Sequence, residues 1–155
     1  MIEVVKDNFV PNEEIKMMNN YFNKLPHYLQ TSKNDGTNIF YTIPLELESV
    51  FVDEFYEKCN EFYLKDKFRP IRCYVNVQHK NMDGDFHLDD GNLTCMLMVS
   101  KTLKKGEGVF EIDNRSIDFI QNRLVIFDSK LKHRGKGPDH RTMRMTLALK
   151  TERIG

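Results

Sequence analysis

The sequence has no tryptophan and no excess of either charge: 23 Lys and Arg stand against 23 Asp and Glu among 155 residues. A domain whose main work is gripping nucleic acid usually carries a clear basic excess, so that class is disfavoured. No apolar run approaches 18 residues, and no membrane-spanning helix is expected. The three cysteines, Cys59, Cys73 and Cys95, are odd in number and form no C-x-x-C pair. That argues against a disulfide framework or a zinc ribbon, and for reduced thiols in a cytoplasm, that of the host if the source is viral. Met1 to Asp7 is too charged for a signal peptide. Internal repeats and low-complexity stretches are also missing.

What is present suggests one domain of about 1–155, long enough to bury a core without covalent staples. Residues 1–70 read as mostly helical. Asn12 is placed to cap a helix with Glu13 and Glu14 in its first turn, where negative charge suits the helix end. Ile15, Met18, Phe22 and Leu25 form one apolar stripe, which Pro26 ends. The turn formers Thr31 to Gly36 follow. A second helix is expected after Pro44, burying Phe51, Phe55, Cys59 and Phe62. After Pro70 the pattern changes to short strands: Ile71–Gln78, Leu93–Val99, Val109–Ile112, Ile117–Ile120, Leu124–Phe127 and Met143–Leu149. Turn signals at Asp83 to Asp85, Lys105 to Gly108, Asp113-Asn114 and Gly135 to Pro138 separate them. The expected fold is α+β: a double-stranded β-helix (jelly roll) over about 71–150, on an N-terminal supporting helical layer.

His87-Leu88-Asp89 is the only H-x-[D/E] in the chain. On an extended strand, i and i+2 side chains share a face, so an imidazole and a carboxylate reach one ion. His133 follows the apolar strand at 124–127 and supplies a second imidazole. Two histidines and one carboxylate make a facial triad that leaves coordination positions open, unlike a closed structural zinc site. His140 is the alternative second histidine, while His27 and His79 read as surface or packing residues. Arg144 opens the last strand and shares a face with Thr146 and Ala148, whereas Met143, Met145, Leu147 and Leu149 take the core face. A guanidinium there can bind a carboxylate bidentately. Arg141 is its rival.

Several stretches together resemble the iron(II)- and 2-oxoglutarate-dependent dioxygenase superfamily, in its prolyl-4-hydroxylase-like branch of small phage and marine microbial members. They are Tyr74 to Asn76, Asp83 to Thr94, Gly106 to Phe110 and Asn122 to Ser129, with His133 and Arg144, and they span about 71–149. The resemblance implies iron(II) on His87, Asp89 and His133, with 2-oxoglutarate and dioxygen as co-substrates, ascorbate as an accessory reductant, and Arg144 on the distal carboxylate. Gln78 stands where many relatives have a tyrosine on the co-substrate, and Asn122 where they have glycine. Asn76, Gln78 and Thr94 are the further candidates for the co-substrate pocket.

The implied reaction is C–H hydroxylation coupled to decarboxylation of 2-oxoglutarate to succinate, with peptidyl proline as the leading substrate. A free amino acid, another small molecule or a nucleobase are alternatives. So are a non-catalytic jelly-roll binding module and a cupin-like zinc enzyme, although no His-x-His is present. Gln30 to Tyr41 and the loops at Asp83 and Gly91 are candidate lids. The partner is expected to be a peptide, a protein or a small molecule, and the chain a monomer or weak homodimer. Cys73 and Cys95 read as small buried hydrophobes.

Overall fold

The structure, a computed structural model, describes residues 1–31 and 38–155. The elements run β1 (Ile2–Lys6), α1 (Asn12–Lys24), β2 (Tyr28–Thr31), β3 (Ile39–Leu45) and α2 (Val50–Cys59). A π-helical turn (Asn60–Leu64) leads to β4 (Phe68–Gln78), β5 (Leu93–Met98), β6 (Phe110–Ile112), β7 (Arg115–Ile117), β8 (Leu124–Asp128), β9 (His133–Gly135) and β10 (Arg144–Arg153). Seven strands form an antiparallel sheet in the order β1-β8-β5-β10-β4-β3-β2, and three form a second sheet, β7-β6-β9. Mostly antiparallel strands with two helices make the jelly-roll arrangement that the strand pattern implied.

The period of two along each strand decides what the large sheet shows on either side. Val75, Val77, Leu97, Ile126, Met145, Leu147 and Leu149 point to one face and pack with Ile15, Met18 and Phe22 of α1 and Val52, Phe55 and Cys59 of α2. Met96, Met98, Val125 and Phe127 point to the other face, where they meet Phe110, Ile112 and Ile117 of the small sheet. All three thiols are buried and unpaired. No helix among the described residues is long and apolar enough to cross a membrane.

The N-terminal region departs from the helical reading of residues 1–70. It carries both helices, but also β1, β2 and β3, all joined to the large sheet. Pro44 suggested a helix start. It instead lies within β3, beyond Thr42, the last residue that β2 pairs, so its missing N–H faces an unpaired edge. Ile15, Met18 and Phe22 form the buried α1 stripe as read, while Leu25 lies just past the helix end in extended backbone and packs there half-buried. Pro11, not Asn12, precedes the helix, its carbonyl accepting from Glu14 N and Ile15 N. In α2 Ser49 is the cap, and Val52, Phe55 and Cys59 form the buried stripe. The π-helical turn rotates the chain so that Leu64 turns inward and Phe62 outward. The expected strand at 117–120 begins earlier. Asp113 and Asn114 both have positive φ, which closes a two-residue hairpin and pairs Ile112 with Arg115.

Asn122 adopts φ 72°, the left-handed region that suits glycine or asparagine, and its side chain also binds. Its Oδ1 accepts from Val10 N at 3.0 Å, and its Nδ2 donates to Val10 O at 2.6 Å, tying the start of α1 to the sheet. Asn122→Ala strands both buried Val10 groups and strains the backbone. A loss of about 2–4 kcal/mol is expected in denaturant unfolding. Asn122→Gly, which removes only the bonds, loses less.

Candidate metal and carboxylate site

The segment carrying His87 and Asp89 runs antiparallel to the one carrying His133. His87 and His133 exchange both backbone hydrogen bonds, N to O at 3.0 and 3.1 Å, and Asp89 N donates to Ser129 O at 2.8 Å. His87 lies in an isolated bridge rather than in a long strand, but the i, i+2 alternation operates. His87 and Asp89 face inward while Phe86 and Leu88 are exposed. His133 opens β9, which joins the small sheet through β6. The two imidazoles lie 4.4 Å apart between centroids.

Each ring is oriented from behind. His87 Nδ1 lies 2.8 Å from Asp85 O, and His133 Nδ1 lies 2.7 Å from Leu131 O. A carbonyl can only accept, so each Nδ1 carries the hydrogen and each Nε2 presents its lone pair. Those lone pairs converge on Asp89: His87 Nε2 is 3.5 Å from Oδ1 and His133 Nε2 is 3.1 Å from Oδ2. Three electron-rich donors gather so closely only around a cation or a proton. The donor set fits a divalent ion that accepts imidazole and carboxylate and keeps other positions for exogenous ligands.

Asp89 is also held by Thr94, whose Oγ1 donates to Oδ2 at 2.9 Å and lies 3.0 Å from Ser129 Oγ, and by Lys150, whose Nζ forms an ion pair with Oδ2. Burial alone would raise the Asp89 carboxyl. When the facing Nε2 atoms of His133 and His87 carry a proton in place of a metal, their hydrogen bonds, with the charge of Lys150, outweigh it and leave the group well below the usual carboxylate range.

These groups open on a cavity of about 450 Å³ between the sheets. One wall is the inner face of the large sheet. It has Phe40, Thr42 and Pro44 on β3, Tyr74, Asn76 and Gln78 on β4, and Arg144, Thr146, Ala148 and Lys150 on β10. The register puts Arg144 opposite Gln78, Thr146 opposite Asn76 and Ala148 opposite Tyr74.

Arg144 is fully buried. Its Nε donates to Gly108 O and its Nη1 to Gln78 Oε1, both at 2.7 Å, while Nη2 has no partner. No carboxylate among the described residues pairs with it, and burial pushes the guanidinium down to about 9, still charged at neutral pH. The group is fixed in place and short of an anion. The backbone makes room for it at Gly135, where a Cβ would stand 2.8 Å from Nη1. Gln78 spends its amide on protein groups, with Nε2 donating to Met82 O and Gly135 O at 2.8 Å each. Asn76 leaves Oδ1 buried and unpartnered beside the cavity.

His140 sits in a different cluster, with Nδ1 2.5 Å from Glu107 Oε1, and exposed Arg141 does not line the cavity. His27 is bonded to Phe22 O, and His79 packs against Tyr41. Of the candidate lids, Gln30, Thr31, Phe40, Gly84 and Asp85 border the cavity, Gly91 does not, and 32–37 lie outside the described residues. The residues not anticipated are Lys150 and Ser129. Lys150 shares the strand parity of Arg144, and that signal was available in the sequence.

No family model matches the chain, and no curated protein matches it. Solved structures do. The viral collagen prolyl hydroxylase of Paramecium bursaria chlorella virus 1, in complex with 2-oxoglutarate, matches with TM-score 0.74 at 16% identity, over 97% of this chain and 96% of that one. A Pseudomonas putida prolyl-4-hydroxylase matches at 0.70 and 13%, over 98% and 92%. HygX of Streptomyces hygroscopicus, with nickel, 2-oxoglutarate and hygromycin B bound, matches at 0.75 and 9%, over 97% and 82%. The fold is therefore that of the 2-oxoglutarate and iron(II) oxygenases, as the resemblance implied.

Proposed function

We propose that the chain is an iron(II)- and 2-oxoglutarate-dependent dioxygenase that hydroxylates a C–H bond. The observation that carries this reading is the pairing, in one cavity, of a two-histidine, one-carboxylate set with a buried guanidinium lacking an anion. His87, Asp89 and His133 would hold the iron. When bound, iron(II) supplies the redox chemistry that reduces dioxygen, releases carbon dioxide from the 2-oxo acid to leave succinate, and delivers oxygen to carbon.

The chain's own part is binding and orientation. Arg144 takes the distal carboxylate of 2-oxoglutarate through its unpartnered Nη2, and Gln78 holds the guanidinium at the angle this needs. Thr94 steadies Asp89 rather than the co-substrate. Asn76 Oδ1 offers an acceptor to whatever fills the cavity. Phe110 and Phe127, close behind His133, keep water from that side.

The leading substrate is a peptidyl proline. Three of the similar proteins are prolyl hydroxylases, and one of these, from Trichoplax adhaerens, holds a peptide fragment. The hygromycin B bound in HygX keeps a small-molecule substrate as the second reading. The test is succinate formation from 2-oxoglutarate with iron(II) in air, with and without proline-containing peptides. Stimulation by a peptide that gains one oxygen supports the first reading. Succinate formation unaffected by any peptide favours the second, and no succinate from wild type under any condition overturns both.

A further inference from the structure

Lys150 has no role in the reaction just described, yet it is 2% exposed and lies in the cavity. A lysine is almost never buried this far without a partner. Its partner is Asp89, the carboxylate between the two imidazoles. The sheet register explains the contact. Lys150 on β10 is the Cα partner of Thr94 on β5, so both side chains rise from neighbouring strands to the same face and meet Asp89 Oδ2. Tyr74 flanks the ammonium group, with its ring centroid 5.2 Å from Nζ. The other oxygen, Oδ1, faces His87 Nε2 and takes neither donor.

We infer that Lys150 is a positioning residue: the countercharge that holds Asp89 in its ligand orientation before the metal arrives, and a competitor that limits how tightly the metal is held. The inference rests on the reading of His87, Asp89 and His133 as the metal centre. Without a cation, a buried carboxylate beside two imidazole lone pairs is unfavourable, and the ammonium group removes that penalty. Together with Thr94 it occupies Oδ2 and leaves Oδ1 for the ion. Once a divalent ion sits at the triad, the same ammonium group is a like charge only a few ångströms away. In a medium of low dielectric that repulsion weakens the site. Lys150 therefore trades metal affinity for an ordered metal-free site.

The sign of the effect separates this role from a merely structural one, which would lower affinity when lost. Cobalt(II) titrated anaerobically into the metal-free full chain, followed by calorimetry and visible absorption, reads it without turnover. Lys150→Met should bind cobalt at least about tenfold more tightly than wild type. Its metal-free form should melt at a lower temperature, so the rise in Tm on loading widens. Lys150→Arg, which keeps the charge, should stay near wild type. If Lys150→Met does not fold, Lys150→Gln, which keeps a donor to Oδ2 without charge, carries the same expectation. Unchanged or weaker cobalt binding in the neutral variants, with wild type binding and His87→Ala not binding, overturns this inference and leaves the metal-centre reading standing. No cobalt binding by wild type overturns both.

Discussion

Asp89→Ala should abolish metal binding and cost the protein about 3–5 kcal/mol of stability, the range for removing one partner of a buried ion pair. Both effects come from one side chain. Asp89 is the only carboxylate in the triad, and it is also the acceptor for Lys150 and Thr94. Its loss leaves an ammonium group 2% exposed with no countercharge. For a chain of this length that corresponds to a fall in Tm of about 10 °C. The double variant Asp89→Ala, Lys150→Met removes the orphaned charge. It should recover most of the stability and none of the metal binding, as measured by thermal melts and metal titration side by side. A double variant no more stable than the single one would show that the ion pair is not the source of the loss.

Arg144→Met should act in opposite directions on ligand binding and on stability. The guanidinium is wholly buried with no carboxylate beside it, so the ligand-free protein bears the cost of a desolvated charge. A methionine of similar reach removes that cost while losing two neutral acceptors, Gly108 O and Gln78 Oε1. The Tm of the ligand-free variant should match or exceed that of wild type. Affinity for 2-oxoglutarate should fall by about a hundredfold or more, since charge-assisted hydrogen bonds contribute about 1.5–3 kcal/mol each. Calorimetric titration of 2-oxoglutarate into the metal-loaded protein reads the second effect. Arg141→Met, at an exposed position outside the cavity, should change neither quantity.

The sequence was most legible where one face of a strand is core and the other is not. Alternation marks β4 and β10, and the parity of Arg144, Thr146 and Ala148 puts them on one face, which is the cavity side. The apolar alternation carries only to Leu149, so it does not mark Lys150, one step further on the same face of a strand that runs to Arg153. His87-Leu88-Asp89 was readable because an i, i+2 pair needs only local extension, which the backbone bonds to His133 and Ser129 supply.

The N-terminal strands were less legible for physical reasons. All four residues of β2 are exposed, so no apolar pattern marks it. In β3, Pro44 resembles a boundary and is tolerated because β2 pairs no further along β3 than Thr42. The role of Gln78 could not be read from its position in a motif. Its amide is turned toward Arg144, Met82 and Gly135, contacts that exist only once β4, β9 and β10 have come together.

The central claim is that one cavity holds both a metal and a 2-oxo acid. An anaerobic absorbance titration of the metal-free protein with iron(II), followed by 2-oxoglutarate, tests it most directly. The account predicts a visible charge-transfer band in wild type. His87→Ala should show none, and Arg144→Met should need far more 2-oxoglutarate to reach it. No band in wild type at saturating iron(II) and 2-oxoglutarate would contradict the account.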